Sequence, residues 1–269
     1  MTSDDQTRSF ELEVEVAGTP EEVWAAIATG PGITAWLHPT ELDEREGGRM
    51  TYDMGGGAGG EATVRGWDPP RRFVEEAEWA AKGTEPALLA TEWRVEARSG
   101  GTCLVRMVTS GFPTGGAWDD EIEGFTEAMT TALENLRLYR AHFPGERATW
   151  VRAFGSAPGT WADALPALTR ALGMPDARAG TMATTSGAGA PALAGRVERV
   201  DEGKWQGHVL LRVDEPAPGL ASVSAWGEAA ATTVQLCLYG DAGAAAAARD
   251  GEAWKAWMKE RFPARARAA

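Results

Sequence analysis

The 269-residue sequence is poor in the residues that build metal sites, disulfides and hydrolytic centres. It has three histidines and two cysteines, and it contains no HExxH, GxSxG or P-loop motif. Zinc sites and nucleophilic centres need clustered ligands or motifs of this kind. We therefore expect no metal, no cofactor and no catalytic residues, and a binding protein is favoured over an enzyme.

The two cysteines, Cys103 and Cys237, each fall in an apolar stretch late in one half of the chain. A free cysteine behaves as a small hydrophobe and is commonly buried. One cysteine in each half therefore predicts two buried free thiols rather than a disulfide.

Basic residues and long apolar runs are also scarce. Lysine and arginine total 26 against 39 acidic residues, which gives a net charge of −13. Nucleic acids and anionic membrane surfaces need clustered basic side chains, so neither is an expected partner. The first ten residues are polar and acidic, unlike a signal peptide, and no apolar run approaches the roughly 20 residues of a membrane span. We expect a cytoplasmic protein without membrane insertion, and a protein partner is left open.

The sequence does contain one structural unit twice. Residues 9–29 read SFELEVEVAGTPEEVWAAIAT, and residues 149–172 read TWVRAFGSAPGTWADALPALTRAL. Both segments predict a strand, a turn of small residues and a helix with a tryptophan, and each copy ends on a long helix. A chain of this length favours two domains of roughly 130 residues. We place them at 1–145 and 146–269.

The first copy is typical of an antiparallel meander followed by a helix. Thr19, Pro20 and Glu22 form a capping box at the start of its first helix. A second short helix, GITAWLH, follows, and turn-rich segments separate the later strands. The glycine-rich segment 55–60 predicts a hairpin tip. The predicted strands are 9–17, 41–54, 60–67, 71–80, 88–98 and 102–110, and the closing amphipathic helix is 119–143.

The second copy repeats this order with losses. Its first helix is predicted at 160–172, and residues 173–192, rich in small residues and proline, predict an irregular segment in place of the long second strand and second helix. The predicted later elements are strands at 194–201, 205–214, 219–226 and 232–239 and a final helix at about 241–262.

Four motifs in order carry a family resemblance: TPEEVWAAIATGPGITAWL, EGGRM, GWDPPRRFVEEAEW and GGTCLVRMVTSGF. Over about residues 8–143 the chain resembles the proteins grouped around the C-terminal domain of the Hsp90-ATPase activator, within the START and Bet v 1-like (SRPBCC) helix-grip superfamily. The tandem arrangement is similar to some didomain proteins of bacterial polyketide pathways. The resemblance implies an α+β fold of two helix-grip domains, each a curved antiparallel sheet around a long C-terminal helix, the second domain degenerate.

The resemblance also implies a cavity between sheet and helix, in which members of the superfamily often bind an apolar ligand. The leading hypothesis is binding of a polyketide- or polyene-like small molecule in bacterial secondary metabolism. Because the second copy lacks the segment that covers one cavity end in the first, a tight contact between the domains and one elongated shared cavity are further expectations. The alternatives are a polyketide cyclase or aromatase, and a chaperone cofactor of the Hsp90 type or a stress-response interaction protein.

Candidate lining residues follow from the twelve tryptophans, the methionines and one arginine within an apolar strand. An aromatic wall suits a flat apolar ligand, although core filling explains the same tryptophans. Arg106 needs a partner if it faces inward, and an outward, solvated Arg106 is the alternative. The candidate ligand-binding residues are Met54, Glu76, Glu78, Trp79, Trp93, Arg106, Met107, Phe125, Met129, Leu133, Trp226, Trp254 and Trp257, with Glu76 and Glu78 as possible partners of Arg106.

Overall fold

The computed structural model describes residues 7–263, so most of the polar segment that argues against a signal peptide lies outside the described residues. The chain divides into two compact units, and the boundary falls between Gly145 and Glu146. Each unit is one antiparallel sheet with a long helix after its last strand. This is the tandem helix-grip fold of the α+β class, as predicted.

The first unit contains seven strands and three helices within the described residues. Its sheet has the strand order β1-β7-β6-β5-β4-β3-β2, so the first and last strands are neighbours. The elements are β1 (Arg8–Ala17), α1 (Pro20–Ile27), α2 (Gly30–Thr34), β2 (Thr40–Leu42), β3 (Arg49–Gly55), β4 (Ala58–Asp68), β5 (Arg72–Trp79), β6 (Ala87–Ala97), β7 (Thr102–Phe112) and α3 (Ala117–His142).

Local sequence explains the start of the first unit. Along β1 the even-numbered residues face the core and the odd-numbered glutamates face outward. Thr19 then accepts a hydrogen bond from the Glu22 amide at 3.3 Å, while the Glu22 carboxylate accepts one from the Thr19 amide at 3.0 Å. This reciprocal capping box satisfies two otherwise unpaired helix amides.

The glycine-rich segment forms a hairpin between β3 and β4, as predicted. Gly55, Gly56 and Gly57 all adopt positive φ angles, of 84°, 63° and 83°. Side chains with a Cβ atom rarely adopt this backbone conformation. The glycines therefore permit the tight turn that joins the two strands.

Helix α3 lies against the concave face of the first sheet. Its Phe125 ring packs near Phe10 on β1 and Phe112 on β7, with centroid distances of 5.7 and 6.0 Å. Near its other end, buried Arg140 donates to the Ala17 carbonyl oxygen at 3.0 Å and to the Glu22 carboxylate at 3.1 Å. These contacts tie the long helix to β1 and to the start of α1.

The second unit repeats the first with one strand fewer. Its sheet has the order β8-β13-β12-β11-β10-β9, and a single helix replaces α1 and α2. The segment predicted to be irregular contains a three-residue strand, which pairs with β10. The elements are β8 (Ala148–Ser156), α4 (Trp161–Leu172), β9 (Met182–Thr184), β10 (Ala194–Glu202), β11 (Gln206–Glu215), β12 (Gly219–Trp226), β13 (Ala231–Tyr239) and α5 (Gly240–Arg261).

Three further observations concern the side chains that the sequence singled out. Cys103 and Cys237 are both buried free thiols, as predicted. Across residues 7–263, no three or more His, Cys, Asp or Glu side chains are grouped where they can hold a metal ion. Over the same residues, no helix has both the length and the apolar character needed to cross a membrane.

Candidate functional site

Strand register defines which side chains of the first unit face the concave side of the sheet. Phe73 on β5 lies opposite Trp93 on β6, Trp93 opposite Met107 on β7, and Met107 opposite Leu12 on β1. Phe73, Trp93 and Met107 are at most 5% exposed. Because side chains alternate along a strand, every second residue from these positions also faces inward.

The next inward row across the sheet is polar. Glu75 lies opposite Thr91, and Thr91 lies opposite Thr109. The two threonine hydroxyl groups are 3.1 Å apart and hydrogen-bonded to each other. One hydroxyl hydrogen is used in that bond, so the accepting hydroxyl keeps its own hydrogen for another partner. We call Glu75, Thr91 and Thr109 the polar strip.

Beyond the polar strip, inward side chains retain accessible surface. Trp79 packs edge-on against Phe125 of α3, with ring centroids 5.6 Å apart, and both residues are only partly buried. Tyr52 on β3 and Met129 on α3 are also partly buried. The concave side is therefore packed at the Phe73–Trp93 row, and beyond it the inward side chains are only partly covered. We call this partly covered region the pocket, and we define it by Tyr52, Met54, Glu75, Trp79, Thr91, Phe125 and Met129.

Glu75 is the acidic group of the pocket. Its carboxyl is surrounded by protein atoms, yet its side chain keeps part of its accessible surface. These two observations agree if the carboxyl faces an internal space. Among residues 7–263 it has no hydrogen-bond or ion-pair partner. Burial raises the pKa of Glu75 to about 7, because desolvation disfavours the charged carboxylate.

Tyr52 on β3 adds a hydroxyl group to the polar side chains near Glu75 of β5. Its ring lies over Gly60 on β4, where an added Cβ would be only 2.5 Å from the Tyr52 hydroxyl oxygen. Burial, and secondarily the negative charge of Glu75, raise the pKa of Tyr52. The Tyr52 ring also stacks on His38 at a centroid distance of 5.1 Å. Glycine at position 60 is thus the residue that leaves room for the Tyr52 ring.

The pocket carries no positive charge on the sheet. Along the described strands β3 to β7, no inward position holds lysine, arginine or histidine. The basic residues of these strands face outward, as Arg65 does in its 2.7 Å pair with Glu76. The arrangement can therefore bind apolar surface and one or two polar groups, and it disfavours an anion.

Seven of the candidate lining residues belong to the concave side of the first unit. Trp93, Met107 and Leu133 are buried in its packed part, while Trp79 and Phe125 border the pocket. Met129, on α3, and Met54, partly buried where the register of β3 with β4 shifts, complete the set. Their contact with a ligand stays a prediction.

The three charged candidates lie on the outer face of the sheet. Arg106 pairs with Glu13 at 2.7 Å and approaches Glu11 at 3.5 Å, because its β7 position is opposite Glu13 of β1. Glu76 pairs with Arg65, and Glu78 is exposed. The expectation of an inward Arg106 paired with Glu76 or Glu78 is therefore corrected, and the outward alternative describes the molecule.

The three candidate tryptophans of the second unit lie either in its core or on the opposite face of its sheet. Trp254 and Trp257 pack together in its core at a centroid distance of 6.3 Å, with exposures of 0% and 5%. Trp226 follows Ala225 on β12, and because Ala225 faces the core, Trp226 points to the opposite face. Core filling explains Trp254 and Trp257.

Glu75 is the residue that sequence reasoning missed. The sequence did contain the signal for an inward Glu75. Alternate residues of a strand lie on the same face, and in the predicted strand 71–80 these include Phe73, Glu75, Ala77 and Trp79. A strand that turns Trp79 inward must also turn Glu75 inward and Glu76 outward. Tyr52 and the two threonines of the polar strip had no comparable signal, because their proximity depends on strand register.

Comparison with known proteins agrees with the first unit's architecture. Residues 17–139 match the family model described as Activator of Hsp90 ATPase homolog 1-like protein. No curated protein matches the chain. Among solved structures, it is similar to MLL2253 of Mesorhizobium loti, with 18% identity, a TM-score of 0.46, and coverage of 51% of this chain and 98% of that one.

Two further solved structures are similar. CalU16 of Micromonospora echinospora shows 20% identity and a TM-score of 0.39, and the match covers 49% of this chain and 74% of that one. The di-domain ARO/CYC BexL of the BE-7585A biosynthetic pathway shows 14% identity and a TM-score of 0.46, with coverage of 96% and 100%. At such identities none of these structures identifies a ligand or a reaction for this chain.

Proposed function

We propose that the first unit, whose residues 17–139 match the family model of Activator of Hsp90 ATPase homolog 1-like proteins, is a helix-grip module that binds an apolar small molecule. The ligand is of the polyketide or polyene type and occupies the pocket between the sheet and α3. One observation carries this proposal: inward-facing Tyr52, Glu75, Trp79 and Phe125 keep accessible surface beside a fully packed row.

The energetics of such a site favour a ligand of modest size. When a ligand covers aromatic side chains that water reaches inside a fold, the binding free energy becomes more favourable by roughly 25 cal/mol for each Å² of apolar surface buried. A ligand that removes about 500 Å² of apolar surface from water, its own and that of the pocket together, thus gains about 12 kcal/mol before the costs of association, which are at least about 4 kcal/mol. We expect dissociation constants near the micromolar range, where the binding free energy is about −8 kcal/mol.

A pocket-filling variant tests this proposal. Ala77 faces inward between Glu75 and Trp79, so Ala77→Phe places a ring in the space that the ligand needs. N-phenyl-1-naphthylamine, whose fluorescence rises in apolar surroundings, serves as the probe. We expect micromolar binding by the natural sequence and about tenfold weaker binding by the variant, a loss of about 1.4 kcal/mol.

Glu78→Phe is the matched control, since the adjacent residue carries the same new ring on the outer face. Its affinity for the probe should equal that of the natural sequence. Failure of the natural sequence to bind this probe, an anthraquinone or a polyene would refute the proposal. Equal weakening by both variants would also contradict it, because only Ala77 faces the pocket.

A second candidate function is a cyclase or aromatase, and Glu75 is the observation that favours it. A carboxyl with a pKa of about 7 is suited to general acid–base catalysis near neutral pH. In an intramolecular aldol reaction, Glu75 would accept a proton from a methylene group between two carbonyls. The resulting carbanion attacks a third carbonyl to form the new carbon–carbon bond, and the proton returns to the alkoxide.

The enzymatic candidate is tested by turnover of a linear poly-β-ketone mimic. Formation of a ring product by the natural sequence, with loss of at least about a hundredfold in rate in Glu75→Gln, supports catalysis. Glu76→Gln is the control, because its carboxyl lies on the outer face with Arg65. Tight binding of the mimic without ring formation favours a binding protein.

A further inference from the structure

We infer that the preferred ligand of the pocket carries a protonated amine on its apolar scaffold, and that this amine pairs with the Glu75 carboxylate between aromatic rings. The inference rests on the proposed function of the same pocket and adds the charge of its occupant. It depends on the placement of Glu75, on the charges that surround it and on the rings that line the space.

Glu75 lacks the partner that a buried carboxylate needs. It faces inward in register with Thr91 and has neither a hydrogen bond nor an ion pair among residues 7–263. Removing an ionised carboxylate from water is costly unless an opposite charge or hydrogen-bond donors replace the lost hydration. A ligand ammonium group supplies both, because it carries a positive charge and up to three N–H donors.

The surrounding groups favour a cation over an anion. The other titratable side chains on the concave side near Glu75 are Tyr52 on β3, His38 stacked on Tyr52, and Glu121 on α3. Glu121 accepts a 2.7 Å hydrogen bond from the Trp79 indole nitrogen. A ligand carboxylate would meet Glu75 and Glu121, and like charges at short range repel. A neutral ligand would offer Glu75 no opposite charge, so the carboxylate form would stay disfavoured by burial.

The aromatic lining adds a second favourable term. A cation close to a ring face is attracted by the electron density of the ring, most strongly for tryptophan. The hydrogen bond to Glu121 fixes the Trp79 ring, and Phe125 packs edge-on against it at 82°. Trp79 thus belongs to a rigid wall on the same side of the sheet as Glu75.

The polar strip can complete the ammonium site. Thr91 lies directly across from Glu75, and opposed residues on neighbouring strands have Cβ atoms about 5 Å apart. Its hydroxyl oxygen has lone pairs beyond those used with Thr109. An ammonium that donates to Glu75 can therefore donate to Thr91 as well.

Three naphthalene probes of nearly equal size test the inference by isothermal titration calorimetry: naphthylmethylamine, naphthylmethanol and naphthoic acid. At about pH 8, where Glu75 is mostly ionised and the amine is protonated, we expect the amine to bind about tenfold more tightly than the alcohol. The acid should bind most weakly. In Glu75→Gln the amine should lose this advantage, while the affinity for the alcohol stays within about twofold.

Glu76→Gln is the matched control and should keep the full preference for the amine, since Glu76 lies on the outer face. A second measurement does not depend on any variant. In the natural sequence, the ratio of amine to alcohol affinity should fall about tenfold between about pH 8 and pH 5.5, as Glu75 takes up a proton.

The failures of the inference and of the proposed function are distinguishable. Equal binding of alcohol and amine, or a preference for the amine that persists in Glu75→Gln, overturns the inference and leaves apolar binding intact. Tightest binding of the acid overturns it in the same way. Absence of binding for all three probes and for N-phenyl-1-naphthylamine overturns both.

Discussion

The two units share one strand order but have different interiors. In the first, Glu75, Tyr52 and Trp79 surround a pocket on the concave side. In the second, inward residues of β11 to β13 such as Val209, Val223 and Val234 are at most 3% exposed, and the described inward positions of these strands hold no ionisable side chain. The fold therefore permits a pocket without requiring one.

The closing helices explain much of this difference. Helix α5 is rich in alanine and glycine, and its Gly251 packs against β8, where an added Cβ would lie 3.7 Å from a methyl carbon of Val151. Helix α3 instead presents Phe125 and Met129 to its sheet. The later part of α5 also buries Trp254, Trp257 and Met258 among the inward side chains of its sheet. The side chains that each helix contributes, small ones that allow close approach and large ones that fill the remaining space, thus distinguish the packed core from the pocket.

The largest expected effect comes from removing a tryptophan from each interior. Trp254→Ala should lower the free energy of unfolding of the second unit by about 3–5 kcal/mol, because the side chain is fully buried in a packed core. Trp79→Ala should cost about 1–2 kcal/mol, since Trp79 borders the pocket and loses mainly its hydrogen bond to Glu121. Urea denaturation of the full chain measures both. Equal costs would contradict the contrast between the interiors.

The pH dependence of Glu75→Gln is the next largest effect. The folded chain raises the pKa of Glu75 from 4.5 to about 7, so the folded state binds this proton more tightly than the unfolded state does. The associated stability is fully present below pH 4.5 and is lost as the pH rises through about 7. Glutamine cannot ionise, so the free energy of unfolding of the variant does not fall in this pH range.

Thermal or urea unfolding should therefore show the variant as more stable at high pH. We expect a gain of about 1–3 kcal/mol at about pH 8, about a quarter of that at about pH 5 and almost none at about pH 4, with the smaller value favoured if pocket water screens the charge. Glu76→Gln provides the control and should show no such trend. A difference that is constant from pH 5 to pH 8 would mean that Glu75 does not titrate in a buried site.

The smallest effect is expected for Arg106→Ala. Arg106 is about one-third exposed and pairs with Glu11 and Glu13 on the outer face of the first sheet. Such pairs contribute about 0–1 kcal/mol, so stability should change little. Binding of N-phenyl-1-naphthylamine should not change. A tenfold loss of probe affinity would show instead that Arg106 reaches the ligand.

Most of the architecture could be predicted from the sequence. Three features depend only on residues close together in the sequence, so they can be recognised from it directly. They are the alternation in β1, the Thr19–Glu22 capping box and the glycines of the β3–β4 hairpin. The duplication followed from the repeated strand–turn–helix pattern. The candidate site was harder to predict, because Glu76 and Glu78 were proposed as lining residues although they lie on the outer face, and the direction of Arg106 was left open.

The sequence by itself determined the order of the elements and which residues of each strand share a face, since both follow from local backbone geometry. That information was enough to place Glu75 beside Trp79. Only the tertiary structure decided that Glu75 lies next to Tyr52 and the two threonines, that Arg106 meets Glu13, and that one interior is open while the other is filled. These features depend on strand register and on helix-to-sheet distance, which long-range packing sets and which no local pattern encodes.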